Sequence, residues 1–106
     1  MVTVGSLGGL KVAEMTEEDF RNWPDVTNHD LPEKSFLKLA DRMSKHGTVR
    51  LEIFSGVSVI GRSLGIKADR DFEDEELGYD VIGFKSSYTA KVYAIPEWLV
   101  SGVSMY

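Results

Sequence analysis

Apolar residues return at two different spacings along this chain, and the change of spacing divides it into helical and extended stretches. Between Pro32 and Gly47, the residues Phe36, Leu39, Ala40 and Met43 recur at i, i+3, i+4 and i+7. That spacing lays one apolar stripe along a helix and predicts that these four are its buried face. Pro32 suits the first turn, where its missing N–H leaves nothing unpaired, and Gly47 suits the C-terminal cap. Glu33 near the start and Lys45 and His46 near the end oppose the helix dipole. A shorter helix is predicted from Thr16 to Trp23, because Thr16 and Asp19 have capping-box spacing and Pro24 favours extended backbone at the residue before it.

After Gly47 the period falls to that of a strand. Across Thr48–Phe54, Val49, Leu51 and Ile53 alternate with Thr48, Arg50 and Glu52. Ser55–Gly56 reads as a turn and Val57–Ile60 as the returning strand. Tyr79–Phe84 and Tyr88–Ile95 form a second pair joined by Lys85–Ser87; Pro96 closes it, and Glu97–Val100 reads as one helical turn. At the start, β-formers flank Gly5–Gly9 within Val2–Val12, a hairpin or an extended edge segment. The fold expected is therefore α+β, one or two helices packed on an antiparallel sheet of four to five strands, in a single compact domain spanning 1–106.

Composition sharpens this picture. With 106 residues, 42% of them hydrophobic, the chain can build one core but not two. It has no cysteine, which excludes disulfides, thiolate nucleophiles and cysteine-held metal centres, and points to a reducing cytoplasm. Met1–Val12 has Lys11 as its sole base and is broken by three glycines, unlike a secretory signal. No apolar run approaches the roughly 20 residues that span a bilayer, so no membrane association is expected.

The formal charge of −5 is less informative than its distribution. Residues 14–33 carry seven acids against Arg21 alone; residues 34–67 carry seven bases against Asp41 and Glu52; residues 69–80 again carry seven acids, against Arg70. An acidic–basic–acidic order permits a self-complementary homodimer.

Several stretches have the lettering of a functional motif without its context. Gly61-Arg62-Ser63-Leu64-Gly65 spells the nucleophile elbow of α/β-hydrolases. That elbow needs a large parallel sheet and a histidine after the serine, whereas His29 and His46 both precede Ser63. Ser58–Ile66 resembles the first helix and turn of a helix-turn-helix, which would make Ala68–Leu77 the recognition helix. Its Asp69, Asp71, Glu73, Asp74, Glu75 and Glu76 would be repelled by DNA phosphates. A calcium loop starting at Asp69 would need glycine and glutamate where Asp74 and Asp80 stand. The two histidines lack metal-ligand spacing. No catalytic residue, metal ligand or cofactor is assigned, and the chain is read as a non-enzyme.

Binding surfaces remain. The first reading is a protein-binding protein, an inhibitor or adaptor, that covers the surface of a partner. Asp69, Asp71, Glu73, Asp74, Glu75 and Glu76 would dock on a basic protein surface, with Trp23 and Trp98 as aromatic anchors. In size and charge the chain resembles the compact acidic proteins with which phages inhibit host defence nucleases, anti-CRISPR proteins among them. The alternative is a nucleic-acid-associated module. It would use Lys34, Lys38, Arg42 and Lys45, spaced along one helix face, with Phe84, Tyr88 and Tyr93 as stacking platforms. A small enzyme with an unrecognised site stands third, to be distinguished by a cleft holding a shifted carboxylate or histidine.

Overall fold

In the computed structural model, which describes residues 2–23, 32, 34–70 and 78–106, hairpins alternate with two short helices. The strands are β1 (Thr3–Leu7), β2 (Leu10–Met15), β3 (Val49–Ile53), β4 (Ser58–Arg70), β5 (Gly78–Ser86), β6 (Val92–Pro96) and β7 (Val100–Met105). The helices are α1 (Glu17–Arg21) and α2 (Phe36–Met43), and a 3-10 turn, Glu97–Leu99, joins β6 to β7. The strands form one sheet in the order β1-β2-β6-β5-β4-β3-β7, with every neighbouring pair antiparallel. The class is α+β as expected, but the sheet has seven strands rather than four or five.

One bulge hides a strand from that count, and a second carries another past its expected end. Opposite β3, Glu52 pairs with Gly102 but Ile53 with Val100, so Ser101 is an extra residue in β7. Val100 and Val103 consequently face the same core although three positions apart, which hides the strand from a search for strict alternation. In β4, Ser63 pairs with Phe84 and Ile66 with Ile82, so β4 advances three residues while β5 advances two. Gly65 takes φ +122° there, a left-handed value that favours glycine. The stretch resembling a helix-turn-helix is thus strand: Ser58–Ile66 lies wholly in β4, and Ala68–Arg70 continues it.

The serine motif has a structural explanation at the same place. A Cβ on Gly61 would lie 1.9 Å from the Lys85 carbonyl oxygen, so only glycine lets β4 and β5 approach there. Ser63 donates to the Asp41 carboxylate at 2.7 Å, accepts from the Gly65 N–H at 3.0 Å, and its own N–H reaches Ser44 Oγ at 2.9 Å. These bonds tie the bulge to α2. The serine lies within a strand, not on a strand-to-helix elbow.

The sheet is covered on both faces. Val81 and Ile82 are consecutive in β5, yet one packs with Phe20 of α1 and the other with Leu37 and Ala40 of α2. Leu51, Phe84, Ile95 and Val100 join the α2 side, while Met15, Val92 and Ala94 join the α1 side. Ser55, between β3 and β4, donates to the carbonyl of Leu7 in β1 at 2.9 Å, although four strands separate β1 from β3 in the sheet. That contact requires the sheet to curl.

Helix α2 is rotated and shortened relative to expectation. Its buried residues are Leu37 and Ala40, with Ser44 buried at its end, whereas Phe36 is 37% exposed. Ser44 belongs to this stripe because its hydroxyl donates to the Ala40 carbonyl, so a polar residue occupies an inward position. The N-cap is Ser35, whose Oγ accepts from Lys38 N–H at 3.2 Å. Glu97 completes the cap: its two carboxylate oxygens accept from the Phe36 and Leu37 N–H groups at 3.1 and 3.2 Å. A carboxylate there also meets the positive end of the helix dipole. Glu97→Ala is expected to lower stability by about 1–2 kcal/mol, with Glu97→Gln intermediate. Urea unfolding measures this, and an unchanged midpoint for the alanine variant would deny Glu97 its capping role.

Candidate functional site

Helix α1 is only five residues long, so its position depends on what holds its ends. At the start the expected capping box is present: Thr16 Oγ1 accepts from Asp19 N–H at 3.2 Å, and Asp19 accepts from Thr16 N–H at 3.3 Å. At the other end the Lys67 ammonium, reaching across from β4, donates to the carbonyls of Phe20, Arg21 and Trp23. Phe20 and Arg21 end the helix and Trp23 lies two residues past it, so the lysine holds the chain as it leaves α1. The same ammonium lies 4.8 Å from the centre of the Phe20 ring. Phe20 in turn meets Trp23 edge to face, with ring centres 6.1 Å apart. Trp23 is therefore placed by Phe20 and by the lysine that caps the helix.

Trp98 approaches from the other side. Pro96 ends β6, and in the turn that follows Glu97 reaches to α2 while Trp98 remains 57% exposed. Trp23 and Trp98 line one apolar pocket of about 200 Å³, floored by Ala13, Val81 and Ala94, with Lys11 contributing the charge. The two tryptophans expected as aromatic anchors thus line one pocket. The small side chains of the floor leave the space between the indoles open.

A second cluster lies where β3, β4, β5 and β7 meet the β5–β6 turn. Arg50 stands between Val49 and Leu51, both in the α2-side core, and so projects from the opposite face. Arg62 of β4 pairs directly with Lys85 of β5. Tyr88 and Tyr106 are 69% and 62% exposed, their hydroxyls 3.0 Å apart, and Arg50 lies 5.6 Å from the centre of the Tyr106 ring. The shared hydrogen bond raises the Tyr88 phenol above its ordinary value. Lys85 bonds Glu17 at 3.1 Å, and this bond, helped by Arg21, holds the Glu17 carboxyl below the usual carboxylate range.

The four bases expected along one helix face extend past both ends of α2. Lys34 precedes the N-cap and Lys45 follows the helix, leaving Lys38 and Arg42 as its two members within α2. Of the aromatics expected beside it, Phe84 is fully buried and Tyr93 half-buried, while Tyr88 is exposed. Asp69 falls within β4 opposite Tyr79, and Asp71, Glu73, Asp74, Glu75 and Glu76 lie outside the described residues, as does His29. Arg50, Arg62 and Tyr106 were not singled out as site residues. The alternation of Thr48–Phe54 already set Arg50 on the polar side, but Arg62 required the full length of β4.

Among the described residues no cluster of three or more histidine, aspartate or glutamate side chains is placed to hold a metal ion, and no helix is long and apolar enough to cross a membrane. Compared with family models, curated proteins and solved structures, the chain matches none.

Proposed function

We propose that this chain is a protein-binding protein that acts by covering part of a partner's surface, with the Trp23–Trp98 pocket as the point of contact. The observation that carries this reading is an exposed tryptophan beside a small apolar pocket floored by sheet residues. A volume near 200 Å³ falls below the roughly 300–1,000 Å³ of small-molecule and cofactor sites and suits one protruding side chain of a partner. Tryptophans that combine a large apolar surface with an N–H donor are over-represented among residues that dominate protein interfaces.

The acidic run Asp69, Asp71, Glu73, Asp74, Glu75 and Glu76 gives the partner its chemistry: a protein with a basic surface, reached faster because opposite charges steer the encounter. Surfaces of that kind include those that hold nucleic acid. An inhibitor of a nucleic-acid-binding protein, such as the phage proteins that block defence nucleases, is the specific form of the proposal.

Affinity capture from source cells, with and without nuclease, tests it. Expected is one stoichiometric protein, retained after nuclease treatment and lost when Asp71, Glu73, Asp74 and Glu75 are all changed to lysine. Recovery that vanishes with nuclease, or that ignores the charge reversal, contradicts the proposal.

A further inference from the structure

The cluster around Tyr88 has a feature that folding alone does not account for. Arg62 and Lys85 are directly opposite one another on neighbouring strands, a like-charge pair that weakens a sheet unless something compensates it. Glu17 compensates Lys85. Arg62 is exposed and makes no ion pair among the described residues, and Arg50 faces the Tyr106 ring rather than a carboxylate. Three cations on three adjacent strands therefore share one carboxylate within a chain of net charge −5.

Beside these cations lies a broad hollow of about 530 Å³, lined by Arg62, Lys85 and Tyr88 together with the hydroxyl-bearing Ser87 and Thr89. The hollow is too open to enclose a small molecule. Tyr88 and Tyr106, joined through their hydroxyls, hold two exposed rings beside the positive charge. A ligand matching this arrangement carries repeated negative charge and flat apolar groups at its side. An acidic peptide supplies the charge without the flat groups, and a duplex hides the faces of its bases. A single strand supplies both, since cations track its phosphates while aromatic rings stack on its bases.

We propose that this face of the sheet binds single-stranded nucleic acid, with Arg50, Arg62 and Lys85 at the phosphates and Tyr88 and Tyr106 against the bases. The site is distinct from the tryptophan pocket, and neither proposal depends on the other. Glu17 acts within it as a competitor for Lys85, so its removal strengthens binding.

Fluorescence anisotropy with labelled oligothymidine and oligouridine of about 12 nucleotides tests the site, a length within the range one small domain covers. The expected result is binding at low salt that weakens steeply as salt rises. Arg62→Ala and Tyr88→Ala should each weaken it about tenfold, Arg62→Ala also making the salt dependence shallower. Glu17→Gln should tighten it about two- to fivefold by releasing Lys85. Trp98→Ala should leave it unchanged. Circular dichroism confirms that each variant is folded. The proposal is overturned if neither oligonucleotide binds at low salt, if a duplex of equal length binds as well, or if the Arg62 and Tyr88 variants bind like the parent. It is also overturned if the patch instead holds a second copy, seen by light scattering as a salt-sensitive dimer that Arg62→Ala abolishes without any oligonucleotide bound.

Discussion

Replacing Phe20 with alanine is expected to remove about 3–5 kcal/mol of stability, the larger part of what a small domain commonly has. Phe20 is 1% exposed and is the one large side chain by which α1 enters the core between Met15, Val81, Val92 and Ala94. Its ring lies against Gly83, where an added Cβ would come within 2.4 Å of two ring carbons. Gly83→Ala should therefore destabilise as well, by about 1–3 kcal/mol of overpacking. The two effects are not additive. Once Phe20 is alanine, the added methyl group meets empty space, so Gly83→Ala should then be nearly neutral. Urea unfolding of the four proteins in this cycle measures the coupling, and simple additivity would mean that the ring does not rest on Gly83. Losing Phe20 also removes the ring that Trp23 packs against and one partner of the Lys67 ammonium. The same substitution should thus disturb the tryptophan pocket.

Trp98→Ala is expected to weigh mainly on binding, with stability lowered by about 1–2 kcal/mol and partner affinity reduced by at least ~30-fold. More than half of Trp98 is already in water, so its truncation gives up less buried surface than that of Phe20. In a complex the same indole would be buried against the partner, and a central aromatic of that kind commonly contributes about 2 kcal/mol or more. The separation of the two effects is the informative part. A variant that lost binding and unfolded together would make Trp98 a support of the 3-10 turn instead of a contact.

What could be read from the residue order was mostly local. Thr16 with Asp19, the Ser55–Gly56 turn and the alternation in Val49–Ile53 are each fixed by neighbours a few positions away, and each is found in the structure. Long-range packing decided the rest. β5 runs Val81-Ile82-Gly83-Phe84 because it is buried on both faces, so its pattern does not show which side faces which helix. The bulges at Gly65 and Ser101 each shift the alternation by one residue, which shortened one expected strand and concealed another. On α2, Ser44 at an inward position made a stripe through Phe36 look better than the real one through Leu37. Neither shared site was legible. Trp23 reaches the pocket through α1 and Trp98 through a turn that follows β6, and only the β2–β6 pairing brings them to one place. The second cluster of bases was hidden for a related reason. The bases around α2 are close in sequence, whereas Arg50, Arg62 and Lys85 become neighbours only across paired strands.

Hydroxyl-radical footprinting of the free protein and of its captured complex, read out residue by residue by mass spectrometry, tests the central claim most directly. Trp98, Phe54 and Tyr88 are all exposed and all reactive, so each reports on a different part of the surface. Protection of Trp98 on complex formation, with Phe54 remaining reactive, is the predicted result. Trp98 oxidised equally in both samples while Phe54 or Tyr88 becomes protected would place the partner elsewhere and contradict the tryptophan pocket as the contact.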